Sequence, residues 1–323
     1  MGKIEGKTIL VIGGAGFIGS HIVDKLLLED VKQVIIFDNF TRGTRENIEN
    51  ATKDKRFRIY ESGGDILQTD ILNSAMKESD MVIHLAALWL LQCYEFPKSA
   101  FETNIRGTFN VLEACRDNNI ERLIYSSSAS VYGDAVEYPM TENHPLNNRT
   151  FYGATKIAGE AMARAFYDRY GVNYAGMRYM NVYGPRQDYK GAYVAVIMKI
   201  LDRIDNGLPP VVFGDGSQAY DFIYVEDVAL ANIAALKADT TDEFYNVGTG
   251  IQTSIKELSE LILKITKSDL QIEYQPEVQS FVKNRIASTK KTEKDLRFAA
   301  KVKLEAGLEK LIEWRNNHKN KIQ

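Results

Sequence analysis

Short apolar runs alternate with stretches of helical spacing through the first half of the chain, the pattern of parallel βαβ units. Thr8 to Ile12 (T-I-L-V-I) reads as a buried strand. Phe17 to Leu28 follows with Ile18, Ile22, Leu26 and Leu27 on one helical face. Gln33–Phe37, Met81–Leu85 and Arg122–Ser126 read as further strands. Helical spacing covers about Ser99 to Asp117 and runs again from Tyr152 to about Tyr170, before a strand-like Asn173–Met177. After Arg178 the alternation weakens, and Gly184-Pro185-Arg186 and Gly207-Leu208-Pro209-Pro210 break the chain. Phe222–Val225 and Phe244–Val247 read as late strands able to return to the main sheet. Leu258–Thr266 and Ala306–Asn317 read as amphipathic helices. The pattern predicts an α/β chain with a doubly wound parallel sheet over residues 1–178, to which segments near 211–250 return. A smaller, mostly C-terminal α/β domain is expected over 179–323.

Composition narrows the function classes. With 323 residues, 45% hydrophobic and 26% charged, the chain has the profile of an ordinary globular protein. Its net charge of -3 gives no basic field for nucleic acid or an anionic membrane, so neither is expected as a partner. The two cysteines, Cys93 and Cys115, make no disulfide framework and no metal-ligand pattern. No metal site is expected. The start, M-G-K-I-E-G-K, has no apolar signal core, and no apolar run reaches membrane-spanning length. These features together predict a cytoplasmic location.

The chemistry begins at G-G-A-G-F-I-G, residues 13–19. The run follows a predicted strand and opens a predicted helix. Gly13, Gly16 and Gly19 allow the tight turn, backbone approach to a pyrophosphate, and close helix–strand packing. The helix N-terminus offers free N–H groups to the phosphates, with Phe17 and Ile18 in its first turn. Asp38 ends the next strand about 20 residues on, where the ribose of a dinucleotide is read. This is a Rossmann-type arrangement. A carboxylate there bonds both ribose hydroxyls and repels a 2′-phosphate, so NAD is favoured over NADP, although Arg42 lies close in sequence. Two further pieces point to hydride chemistry. Tyr152-Gly153-Ala154-Thr155-Lys156 places a phenol and an ammonium four residues apart, on one helix face. A phenol of pKa about 10 is a poor base at neutral pH, and the Lys156 charge with a cationic nicotinamide is expected to lower it. Ser128, in S-S-S-A-S-V-Y-G at a strand end, is placed to bond the reacting hydroxyl, although serines after strands are often loop caps.

With these pieces in order, the chain resembles the extended short-chain dehydrogenase/reductases, in particular the nucleotide-sugar epimerases of the UDP-glucose 4-epimerase kind. The resemblance is carried by G-G-A-G-F-I-G, Asp38-Asn39, Gly64-Asp65-Ile66, His84-Leu85-Ala86-Ala87, Asn104, S-S-S-A-S-V-Y-G, Y-G-A-T-K and R-Y-M-N-V-Y-G-P-R. It continues through G-D-G-S-Q-A-Y-D-F-I-Y-V-E-D-V and F-Y-N-V-G-T-G, and so covers nearly the whole chain. It implies that Asn39 joins Asp38 at the ribose, that Asp65 and Ile66 flank the adenine, and that Leu85, Ala86 and Ala87 line the pyrophosphate and ribose. It implies that Asn104 and Ser126 support the cofactor site, that Lys156 also bonds the ribose, and that Tyr179 and Asn181 face nicotinamide and substrate. Each has a plainer alternative: Asp65 as a turn cap, Leu-Ala-Ala as core, Asn104 as a helix cap.

The resemblance also bears on the reaction. Related 4,6-dehydratases place Asp-Glu where this chain has Ala129-Ser130, and uronate decarboxylases place Glu at Ser130. Without those acids the expected reaction is 4-epimerisation of a nucleotide-diphosphate sugar, most simply a UDP-sugar. Tyr152 would take the C4 hydroxyl proton, with NAD removing the hydride and returning it to the other face of a 4-keto sugar. Two alternatives stay open: a net NAD-dependent dehydrogenase or reductase on another sugar or polyol, and a non-catalytic NAD-binding sensor. The chain departs from the family pattern where an arginine usually grips the diphosphate. Tyr220 stands in one such place, and Val278 and Phe281 stand where Arg-x-x-Asp is usual. Arg285, Lys283 or Arg186 could substitute. Arg285 is expected to make the main contact to the diphosphate, with Phe213 and Tyr220 nearby in the substrate site. The helices near Ser99–Asp117 and Phe151–Tyr170 lie where the family builds an intersubunit bundle, so a homodimer is expected. Phe109, Leu112, Ala161 and Ala165 are the candidate contact residues.

Overall fold

The computed structural model describes residues 4–188, 196–277 and 284–319. Val278, Phe281 and Lys283 lie outside these segments. The strands in chain order are β1 (Thr8–Ile12), β2 (Gln33–Phe37), β3 (Phe57–Ile59), β4 (Met81–His84), β5 (Arg122–Ser128), β6 (Tyr174–Tyr179) and β7 (Asn181–Tyr183). They continue as β8 (Val211–Phe213), β9 (Ala219–Tyr220), β10 (Phe222–Tyr224), β11 (Glu243–Val247), β12 (Thr253–Ser254), β13 (Glu273–Gln275) and β14 (Asn284–Arg285). The helices are α1 (Phe17–Leu26), α2 (Thr69–Met76), α3 (Leu90–Glu95), α4 (Pro97–Ala100), α5 (Gly107–Asp117) and α6 (Phe151–Tyr170). Beyond them come α7 (Val196–Asp205), α8 (Val225–Lys237), α9 (Ile255–Thr266), α10 (Lys290–Leu296) and α11 (Leu304–Lys319).

Seven strands form one parallel sheet in the order β11-β6-β5-β4-β1-β2-β3. Such a sheet is covered on both faces, so its strands read as unbroken apolar runs rather than alternating ones. Leu10 and Ile12 of β1 pack into one core with Phe37, Leu72 and Leu112, while Ile9 and Val11 pack into the other with Ile22, Ile36 and Val228. The strand order reverses between β1 and β4. A sheet of this kind opens a crevice at the carboxyl ends of those two strands, where ligands bind.

Of the two late strands expected to return, Glu243–Val247 pairs with β6 at the sheet edge. Phe222–Tyr224 does not reach the main sheet. It pairs with β7, from Asn181↔Phe222 to Tyr183↔Tyr224. A third core lies around this pair, where Tyr183, Met198, Leu201, Phe222, Leu258, Leu308 and Leu311 pack together. Two small sheets complete that region, β12-β9-β14 and β13-β8.

The long helical stretch expected over Ser99–Asp117 is continuous but not uniform. A π-helical segment, Phe101–Arg106, separates α4 from α5. Such segments often mark functional positions. α6 begins where Thr150 caps it, its hydroxyl accepting from Gly153 N at 3.0 Å, and ends at Gly171 in the left-handed conformation.

Candidate active site

A cleft of about 930 Å³ opens at the reversal between β1 and β4. One wall is the turn from β1 into α1. Gly13 has φ +82°, and a Cβ there would lie 3.0 Å from Ala86 N, so the turn can press against the segment after β4 only as glycine. A Cβ on Gly19 would meet Gly13 O at 2.1 Å, which is why the helix can start so close to the strand. Gly16 is the N-cap of α1 and offers no capping side chain, which leaves the first-turn amides to a ligand. Asp38 lies across from this turn. Its carboxylate accepts from Ala15 N at 2.9 Å and from Phe40 N at 2.8 Å, and burial raises its pKa. A half-buried carboxylate held by amides, beside uncapped helix amides, fits the ribose and pyrophosphate of a dinucleotide.

Most of the residues singled out in the sequence line this cleft. They are Gly13, Gly16, Phe17, Ile18, Gly19, Asp38, Asn39, Leu85, Ala86, Ala87, Ser126, Ser128, Tyr152, Lys156, Tyr179, Asn181 and Arg186. Asp65, Ile66, Asn104, Phe213, Tyr220 and Arg285 are not among its lining residues. Asp65 Oδ1 accepts from Leu67 N at 2.9 Å, the turn-capping role, and the Ile66 side chain is buried in the core. Asn104 acts from behind. Its Oδ1 accepts from Leu88 N at 2.7 Å, and its Nδ2 donates to Leu88 O at 2.8 Å and to Thr155 Oγ1 at 3.1 Å. It therefore ties the Leu85–Leu88 wall to α6. Phe213 is exposed on β8. Arg186 Nη2 pairs with Asp24 of α1 at 2.6 Å, which engages it with the cofactor half.

The reactive group sits where β5 and α6 meet. Lys156 is buried, and its Nζ donates to Ser126 O at 2.7 Å, 5.7 Å from the centre of the Tyr152 ring. Burial lowers its pKa to about 8. Ser128 Oγ accepts from Ser130 N at 3.1 Å and donates to Ser130 Oγ at 3.2 Å. Burial pushes Tyr152 up to about 12, while hydrogen bonding with Ser128 and the charge of Arg285 pull it back in part. The expectation that Lys156 would draw the phenol down is not met in the protein alone. Its ammonium faces the Ser126 carbonyl, and burial dominates the phenol. The Tyr179 hydroxyl points inward, to Ser126 Oγ at 3.0 Å and Asn232 Oδ1 at 2.8 Å.

A buried network fixes this junction, and the sequence reading did not find it. Ser127 Oγ donates to Glu160 at 2.6 Å, Arg178 grips Glu160 through Nε at 2.9 Å and Nη2 at 2.7 Å, and Arg178 Nη1 donates to Tyr132 Oη at 2.8 Å. The available signal was Glu160 four residues after Lys156, one helical turn along the same face. Thr44, Asn47, Trp314 and His318 also line the cleft unannounced, the last two from the far end of the chain. Among the described residues, no cluster of three or more His, Cys, Asp or Glu could hold a metal ion.

A family model described as the NAD dependent epimerase/dehydratase family matches residues 9–248. The chain belongs to that family. Its fold is the family's Rossmann-type α/β fold, it is an enzyme, and its cofactor is NAD. A Methanocaldococcus jannaschii protein with a provisional name of UDP-glucose 4-epimerase is 38% identical over 312 residues, covering 96% of this chain and 99% of its own. A solved UDP-N-acetylglucosamine 4-epimerase from Methanobrevibacter ruminantium, in complex with UDP-N-acetylmuramic acid, is 35% identical with a TM-score of 0.91, covering 97% of this chain and 99% of its own. The Thermus thermophilus UDP-glucose 4-epimerase, solved with NAD, is 30% identical with a TM-score of 0.84, covering 96% and 99%.

Proposed function

We propose that this enzyme is a nucleotide-sugar 4-epimerase acting on a UDP-sugar. The observation that carries the reading is the make-up of the reacting group. Ser128, Tyr152 and Lys156 line one cleft with the glycine-rich turn, and Ser130 occupies the place where elimination would need an acid. Among the described residues, the carboxylates lining the cleft are Asp38, Glu46 and Asp188. Asp38 is held by Ala15 and Phe40, Asp188 is paired with Arg42, and Glu46 with His318. None of them belongs to the Tyr152 group. Names among the relatives agree with epimerisation.

NAD, when bound, supplies the hydride acceptor and donor for a sugar carbon. The protein's own part is proton handling and orientation. Ser128 bonds the C4 hydroxyl, and Tyr152 accepts its proton and returns it. Lys156, fixed by the Ser126 carbonyl, holds positive charge beside the phenol. Gly13, Gly16, Phe17, Ile18 and Gly19 seat the pyrophosphate, Asp38 and Asn39 the adenosine ribose, with Leu85, Ala86 and Ala87 on the opposite wall. Asn181 lies on the substrate side, and residues 179–323 form mainly the substrate domain. UDP-glucose, incubated with purified enzyme, should yield UDP-galactose or, with another UDP-sugar, the corresponding C4 epimer, and no free NADH. Stoichiometric NADH with a keto product would instead identify a dehydrogenase.

The assembly we infer is a homodimer. Phe101 is 48% and Phe109 39% exposed on the α4–α5 stretch, and Tyr170 is 51% exposed at the end of α6. Ala161 and Ala165 are exposed beside them, whereas Leu112 is core. We place the enzyme in the cytoplasm. Cys93 and Cys115 are buried free thiols, and no helix among the described residues is long and apolar enough to cross a membrane.

A further inference from the structure

Arg285 is held rigidly at the edge of the reacting group, and the reaction as described makes no use of it. Its strand, β14, pairs with β9 so that Arg285 stands opposite Tyr220, the position where the family's arginine is replaced. The backbone on either side is pinned. Asp221 N donates to Arg285 O at 3.0 Å, Met140 N to Ile286 O at 2.9 Å, and the buried Asp221 carboxylate accepts from Ala287 N at 3.4 Å. The guanidinium is poorly satisfied. Nη2 reaches Gly133 O at 3.5 Å, the limit of a hydrogen bond. Nε is inaccessible and has no acceptor among the described residues, while the Asp134 carboxylate supports the guanidinium's charge. A buried guanidinium donor left open is costly, and the arrangement is expected where a ligand completes it.

What completes it is constrained by position. Gly133 ends the loop that begins at Ser128, and Gly153 of α6 packs on that loop so closely that a Cβ would lie 2.5 Å from Ser130 O. Arg285, the Ser128–Gly133 loop and the Tyr152 turn of α6 are therefore joined by direct packing. The positive charge is also felt at the Tyr152 phenol, which it helps to acidify. In the epimerase reading, that phenol marks C4 of the sugar. In a pyranose, C4 lies across the ring from C1, to which the diphosphate is attached. A cation beside the phenol thus faces the sugar's own substituents rather than the diphosphate expected from sequence. Sugar hydroxyls would supply acceptors but no charge. A planar guanidinium is matched best by a carboxylate, which takes two of its donors at once.

We propose that Arg285 receives a carboxylate carried by the sugar, so that the substrate class is an acidic sugar nucleotide. This rests on the epimerase reading, and the test separates the two. The NAD-loaded wild type and Arg285→Met are titrated by calorimetry with UDP, UDP-glucose, UDP-glucuronate and UDP-N-acetylmuramate. The two acids place the carboxylate at C6 or on a C3 ether, so their comparison also locates it. The wild type should bind at least one acid about tenfold or more tighter than UDP-glucose. In the variant that preference should fall by about ten- to a hundredfold, the scale of one charged hydrogen-bonded contact. An equal loss for UDP and all three sugars would make Arg285 a diphosphate contact and overturn the proposal. So would a wild type that binds neither acid better than UDP-glucose, a result that needs no variant. Turnover is scored separately: a ligand that binds and never yields its C4 epimer counts against the epimerase reading and not against the carboxylate site.

Discussion

In the proposed reaction Tyr152 would have to lose a proton at neutral pH from a place that burial makes hostile to its anion, with a pKa of about 12 in the protein alone. On that reading the phenol is neutral in the protein alone, and the charge of the nicotinamide would have to help it lose its proton. Tyr152→Phe keeps the ring and removes the acceptor. Turnover should fall by roughly a hundred- to ten-thousandfold, the usual worth of a positioned acid–base group, while NAD content is unchanged. Turnover assays and NAD released on denaturation check both halves. Lys156 has the opposite signature. Its pKa in the native protein, about 8, lies below its ordinary 10.5. Between those values the unfolded chain holds a proton that the native protein has lost, so this group adds stability as pH rises through the window. Urea unfolding at pH 8 and pH 10 should show the wild type gaining about 2 kcal/mol relative to Lys156→Met. A flat difference would mean that the lysine is not charged at the cost its burial implies.

The elements differ in how openly the sequence announced them. β1, β2, β4, α1 and α6 were legible because each carries its own periodicity or apolar run, and the cleft they shape was legible with them. The π-helical segment at Phe101–Arg106 was not, since a change of hydrogen-bond pattern inside a continuous helix has no residue signature of its own. Strands of two or three residues, such as β7, β9 and β14, have no alternation to read, and their partners are chosen by tertiary packing. That is why Arg285 could be named from sequence while its neighbours Tyr220 and Gly133 could not be paired with it. The π segment matters because it presents Asn104. Asn104→Ala removes both bonds to Leu88 and the bond to Thr155, leaving half-buried backbone groups unmet. The cost should be about 2–3 kcal/mol in urea unfolding. The variant should also retain less NAD through gel filtration, because Leu88 ends the wall formed by Leu85–Ala87. Unchanged retention would reduce Asn104 to a role in stability alone.

Taken whole, the molecule places its cleft between the main sheet and the third core, around β7 and β10. An enzyme that returns its hydride each cycle has no need to exchange NAD, so denaturing the purified protein should release NAD(H), with NADP(H) a minor component at most. Recovery of mainly NADP(H) would contradict the role given to Asp38. The apolar face at Phe101 and Phe109 leads to a second test at this scale. The double substitution Phe101→Asp, Phe109→Asp should convert a dimer into a monomer by light scattering, with the fold kept. A wild type already monomeric at micromolar concentration would end the dimer reading. The cleft also joins segments that lie far apart in the sequence. The Gly13 turn forms one side of it, and Trp314 and His318 of α11, stacked at 4.5 Å, form another part. Loss of α11 would therefore take one wall from the cleft and leave the glycine-rich turn untouched, so a chain cut before Leu304 should keep the fingerprint of a dinucleotide-binding protein and have a poor hold on the dinucleotide.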